Sequence, residues 1–142
     1  MIPYDAEKFS IKNKKRVRVT SLHDGDTLTC VFAPFVPGEY YTFSVRIAGI
    51  DTPELKGLTR DKALDARQRA FELLTLRFDV NTRNFRKKDF DVFFKDNYVE
   101  TTIECQGFDK YGRLLGDIPH IRQTLIQEGH AYAYDGGTKT VE

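Results

Sequence analysis

The chain has 142 residues, with 22 basic against 21 acidic, and is 40% hydrophobic with 11 Phe and 7 Tyr. That composition supports one domain with a substantial core, burying roughly 68–70% of the unfolded surface without disulfides or a structural metal. The balanced charge excludes a polycation that coats nucleic acid by bulk charge, and equally an acidic disordered tail; an anionic polymer would be handled at a local site.

Residues 1–14 read as a loosely attached N-terminal arm ending in Lys12, Lys14, Lys15 and Arg16, and residues 15–142 read as one folded domain. Val17 and Val19 alternate with Arg16 and Arg18, the period of a half-buried strand. At His23-Asp24-Gly25-Asp26 the chain turns, because Asp-Gly between apolar runs is a hairpin signal and Gly takes positive φ freely. Leu28, Cys30 and Phe32 form a second strand, broken by Pro34, Pro37 and Gly38. Tyr41, Phe43, Val45 and Ile47 make the inward face of a third, so Arg46 points away from the core. After Asp51-Thr52-Pro53-Glu54 the period changes to that of a helix carrying Ala63, Ala66, Ala70, Leu73 and Leu74, with Thr59 as its expected N-cap. Residues 79–98 mix Arg83, Arg86, Lys87 and Lys88 with Phe85, Phe90, Phe93 and Phe94, and are read as a strand plus an exposed loop. Val99, Thr101, Ile103 and Cys105 form a clear strand, followed by the polar turn 106–112 and Arg113-Leu114-Leu115. Pro119 opens a second helix on Ile118, Ile121 and Leu125, which Gly129 stops. About five strands and two helices in this order predict an α+β fold: a small barrel with helices packed outside it.

Cys30 and Cys105 match neither a disulfide framework nor a zinc cluster, and read as ordinary strand residues of a reducing compartment. No apolar run approaches the roughly 18 residues of a membrane span, and residues 1–10 lack a secretory signature. The expectation is a cytoplasmic protein with no membrane association. His23, His120 and His130 have no ligand spacing, and no Gly-rich phosphate loop or nucleophile motif is present.

Taken singly, the polar motifs are ordinary. Asp24-Gly25-Asp26-Thr27 is a hairpin turn, Asp51-Thr52-Pro53-Glu54 an acidic loop in which Pro53 extends Thr52, and Asp109-Lys110-Tyr111-Gly112-Arg113 a turn stabilised by its Asp. Their combination and order are not ordinary. This series, from about Val17 to Ala131, resembles the staphylococcal nuclease (thermonuclease) family. The resemblance implies an OB-fold-type Greek-key β-barrel of five strands with two packed helices. It implies that Asp26 and Asp51, with the backbone carbonyl of Thr52, bind calcium; that Glu54 is the general base; and that Arg46 and Arg113 hold the scissile phosphate. It further implies hydrolysis of DNA or RNA, single-stranded or unpaired, with the 5′ oxygen leaving to give 3′-phosphate ends. Lys110 and Tyr111, beside Arg113, are candidates to bind the neighbouring phosphate or stack on a base. The chain stops soon after Gly136-Gly137, so the family's C-terminal helix is expected to be missing or short.

Charge supports the same reading. If Asp26, Asp51, Glu54, Arg46 and Arg113 share one pocket, the carboxylates outweigh the guanidiniums by one charge and would repel a phosphodiester. One divalent cation reverses the sign, and without it the crowded carboxylates would raise one another's pKa and take up a proton. Oxygen-only donors suit calcium or magnesium over zinc, and do not choose between those two. The rival expectation is an OB-fold module that binds nucleic acid without cutting it.

Overall fold

The computed structural model describes residues 1–134; residues 135–142, where the missing or short C-terminal helix was expected, lie outside the described residues. The first strand, β1 (Lys12–Asp24), is long enough to serve two neighbours. Its first half pairs antiparallel with β5 (Glu100–Phe108), and its second half with β2 (Thr27–Phe32). Register shifts between Val19 and Ser21 and between Leu22 and Asp24 mark where β1 curves. β2 pairs antiparallel with β3 (Tyr41–Ile47), which runs parallel to β6 (Leu114–Asp117), and β6 returns antiparallel to β5. The order β1-β2-β3-β6-β5 closes a five-stranded mixed barrel, an α+β fold of the OB type, as the strand periods predict.

Alternation carries the core: Val17, Val19, Leu28, Cys30, Val45, Ile47, Ile103 and Leu114 are buried inside the barrel. Gly116 sits among them because a Cβ there would lie 3.3 Å from atoms of both Ile103 and Val45. Cys30 and Cys105 are free and buried, and burial pushes the Cys105 thiol up to about 11, which makes it a poor nucleophile.

Helix α1 (Arg60–Thr75) buries Ala63, Ala66, Arg67, Ala70, Phe71 and Leu74, a stripe at three- and four-residue spacing. Its start differs from expectation. The Thr59 hydroxyl does not cap α1; it donates to the Glu54 and Lys56 carbonyls at 2.8 and 3.1 Å, within a 3₁₀ turn over Gly57–Thr59. The N-terminal arm also ends earlier than residue 14. Lys12 and Lys14 already pair with Gln106 and Glu104, Ile11 is buried, and the Phe9 ring stacks on Phe108 at 5.8 Å.

The larger correction concerns residues 79–98, which hold a helix, α2 (Lys87–Asp96), and not a strand plus loop. Phe90, Phe93 and Phe94 recur at helical spacing, and their rings pack 6.2, 4.9 and 6.0 Å from Phe71 of α1. The Asp89 carboxylate accepts the Arg86 N–H at 2.8 Å and caps the first turn. The second expected helix is α3 (Pro119–Gln127), so the barrel carries three helices among the described residues. No helix there is long and apolar enough to cross a membrane. Outside the barrel, β4 (Ile50–Asp51) pairs antiparallel with β7 (Tyr132–Ala133), a ladder the sequence reading did not foresee.

Candidate functional site

Strand register brings the site together. Thr27 of β2 is opposite Arg46 of β3, so Asp26, at the end of the β1–β2 turn, stands beside Arg46. The Ile47 N–H donates to the Asp26 carbonyl at 2.8 Å and fixes that approach. Gly49 then takes φ +83, reversing the chain so that β4 carries Asp51 back toward the same guanidinium. β7 pins β4 through Asp51↔Tyr132, and the Tyr134 N–H donates to the Gly49 carbonyl at 2.9 Å. The Tyr134 ring lies 5.6 Å from Arg46 Cζ, within cation–π range.

Two carboxylates, one from the β1–β2 turn and one from β4, thus converge on one guanidinium. Arg46 Nη1 lies 3.0 Å from Asp26 Oδ2, and Nη2 lies 3.5 Å from Asp51 Oδ1, with the Arg46 and Asp26 side chains 13% and 9% exposed. Nη1 is buried and makes no aligned hydrogen bond, so its contact with Asp26 is chiefly Coulombic. Asp26 Oδ2 also accepts the Thr52 N–H at 3.0 Å, and Oδ1 accepts the Thr27 hydroxyl at 3.2 Å.

Gly25 owes its place in the turn to crowding and not to positive φ. A Cβ there would lie 3.0 Å from both Ala66 Cβ and Thr52 Cγ2, so Gly lets the turn press against α1 and the Asp51-Thr52 segment.

Asp24 belongs to this cluster and was not singled out from the sequence. Its Oδ1 accepts the Asp26 N–H at 3.1 Å. Burial, then the hydrogen bond and charge of Asp26, push its carboxyl up to about 8. Asp26 moves the other way. Burial works to raise it but is outweighed by the Asp24 hydrogen bond, the Arg46 charge, the Thr52 N–H and the Thr27 hydroxyl, which hold it below the usual carboxylate range. Two acids flanking a turn glycine were the available signal for Asp24. For Tyr134 it was the alternation Ala131-Tyr132-Ala133-Tyr134.

Arg113, Lys110 and Tyr111 form a second cluster. Asp109 staples their turn: Oδ1 accepts the Tyr111 and Arg113 N–H groups at 2.9 Å each, and Oδ2 accepts Arg113 Nε at 2.8 Å. The Tyr111 ring lies 5.5 Å from Arg113 Cζ and 5.3 Å from Lys110 Nζ. Leu115 is the β6 partner of Arg46, so Arg113, two residues earlier, lies on the same outer side of the barrel as Arg46. Glu54 joins neither cluster. Its side chain is 74% exposed, with Oε2 3.6 Å from Lys56 Nζ.

No protein-family model matches the chain, and no curated protein does.

The donors fit a hard divalent cation in kind, since Asp26, Asp51 and the Thr52 carbonyl offer only oxygen. They are few: among the described residues no three His, Cys, Asp or Glu side chains gather as a ready cluster. Water would have to complete the shell of an ion held there, as is usual for both calcium and magnesium.

Proposed function

We propose that this protein is a metal-dependent phosphodiesterase acting on single-stranded or unpaired DNA or RNA, of the thermonuclease type that its motifs resemble. The observation that carries the reading is the convergence of Asp26, from the β1–β2 turn, and Asp51, from β4, on Arg46. Asp26, Asp51 and the Thr52 carbonyl would hold calcium, with magnesium as the other hard ion of the right class. A bound ion supplies Lewis acidity toward a phosphate oxygen and reverses the sign of the pocket's charge.

The chain's own groups do the rest. Arg46, packed between two carboxylates, is preorganised to donate planar hydrogen bonds to a phosphate, which a lysine would not reproduce. Arg113, in the turn before β6, answers charge growing on the same phosphate, with Lys110 and Tyr111 engaging the next nucleotide. Glu54 takes the proton of the attacking water, for which its carboxylate must come within about 2.6–3.2 Å of that water. As the 5′ oxygen departs, the phosphate stays on the 3′ side.

The exposure of Glu54 favours one second reading, a barrel that binds nucleic acid without turnover. The discriminating experiment incubates the protein and Glu54→Gln with single-stranded DNA in calcium, in magnesium and in chelator. The nuclease reading expects cutting that chelator abolishes and that Glu54→Gln lowers by on the order of 10²–10⁴-fold. Cutting unaffected by chelator ends the metal argument, and binding with no product in any ion selects the second reading.

A further inference from the structure

A cavity of about 210 Å³ lies where β1, β2, α1 and α2 meet. Its polar lining is Ser21 and His23 of β1, Thr29 of β2, Arg67 of α1 and Lys87 of α2, and Leu22, Leu55 and Phe90 make its apolar walls. A water occupies about 30 Å³, so the space holds one oxyanion with part of its hydration.

Arg67 is the anomaly. It is 7% exposed, yet among the described residues it forms no ion pair with any carboxylate. Nη2 donates to the Thr82 and Phe85 carbonyls at 3.1 and 3.2 Å, Phe90 lies 4.9 Å from its Cζ, and Nε is buried without a partner. Carbonyls supply dipoles and no negative charge, and a buried guanidinium without a counter-ion is costly. Burial, and then the charge of Arg60, work to lower its pKa; Asp24 opposes them more weakly.

The other donors arrive from different directions: a lysine at the first position of α2, an imidazole and two hydroxyls. Asp91 is the carboxylate at the rim. It pairs with Lys87 at 2.9 Å and takes the Ser21 hydroxyl. Donors spread over four elements suit a tetrahedral anion with three or four oxygens better than a planar carboxylate.

We propose that this cavity binds a small tetrahedral oxyanion, free phosphate or the terminal phosphate of a monoester, with Arg67 as its main partner and Lys87 as a swinging arm at the rim. The cavity adjoins the Asp26–Arg46–Asp51 cluster, since Asp24 follows His23 of its lining and acts on Arg67, but the proposal does not depend on the nuclease reading.

The test titrates sodium phosphate into the protein, against sodium chloride of equal ionic strength, following amide chemical shifts and thermal stability. Saturable shifts at His23, Thr29 and Lys87, with a rise in Tm, are expected. Lys87→Ala should weaken binding roughly two- to fivefold, and Asp91→Asn, which frees Lys87 and Ser21, should tighten it by a similar factor. Both positions are at the rim, so these variants keep the test independent of Arg67→Gln, which also loses two carbonyl contacts. A nucleoside 3′-monophosphate binding more tightly than phosphate assigns the ester as the source, and equal affinities assign free phosphate. No response above the chloride control, shifts confined to residues 46–52, or tightening absent in Asp91→Asn overturns the proposal.

Discussion

The Asp26–Arg46–Asp51 cluster and the Asp109–Arg113 turn are both ion pairs outside the same barrel, and they differ in what holds them. In the first, strand pairing brings one acid from the β1–β2 turn and another from β4 to a guanidinium that is 13% exposed. In the second, acid and base are four residues apart in one turn, and the guanidinium is 33% exposed. Burial makes the first cluster part of the fold's stability, so its charges cannot be removed one at a time. The second is a local staple whose arginine is free to be reassigned to a ligand. Glu54 lies at the far end of this scale, on a loop where, among the described residues, Lys56 pairs with its carboxylate.

Asp26→Ala should break the contrast most severely. It leaves Arg46 buried without its closest acid, and stripping one partner from a buried pair typically costs about 3–5 kcal/mol. With both side chains slightly exposed, a loss of about 3 kcal/mol in urea unfolding is expected, together with loss of any cutting. A change below about 1 kcal/mol would show that Asp51 alone satisfies the guanidinium and that the cluster is not cooperative.

Arg113→Lys should be smaller in stability and selective in function. A lysine keeps the charge facing Asp109 but loses the planar fork, so kcat should fall on the order of 10²–10³-fold while single-stranded DNA binding changes little. Equal losses in kcat and binding would place Arg113 in ground-state binding, and would join it to Lys110 and Tyr111 as a strand contact.

The same difference between regions explains what was legible. Barrel strands were readable because residues such as Val17/Val19 and Val45/Ile47 alternate with polar neighbours, a signal local to each strand. Arg46 facing outward followed from that period alone. The α2 helix was missed because Phe85, Phe90, Phe93 and Phe94 sit among lysines and arginines, and their shared face emerges only against Phe71. Pinning of Asp51 by Tyr132 was invisible, since a two-residue ladder between segments so far apart in sequence has no period. Gly25 was assigned to the right turn for the wrong reason: its need is set by Ala66 and Thr52, which only tertiary packing brings near.

Taken per pH unit, the smallest effect expected is a slope in stability, and it isolates Asp24 within the buried cluster. In the folded chain this carboxyl is pushed up to about 8 from an ordinary 3.8. The folded state therefore binds the proton more tightly than the unfolded one. The stability it confers is fully present below about pH 3.8 and is lost as pH rises toward 8, by at most about 1.4 kcal/mol per pH unit. Asn at this position keeps an oxygen for the Asp26 N–H and an N–H for the Asp26 carboxylate, and cannot ionise. Asp24→Asn should therefore gain on the wild type steadily from pH 5 to pH 8 in urea unfolding. Asp109, whose carboxyl is held low against burial by the Arg113 and Tyr111 N–H groups and the Arg113 guanidinium, acts in the opposite sense but below this window. Parallel profiles for the two proteins would mean that Asp24 is already ionised at neutral pH, with the charge of Arg67 holding it so.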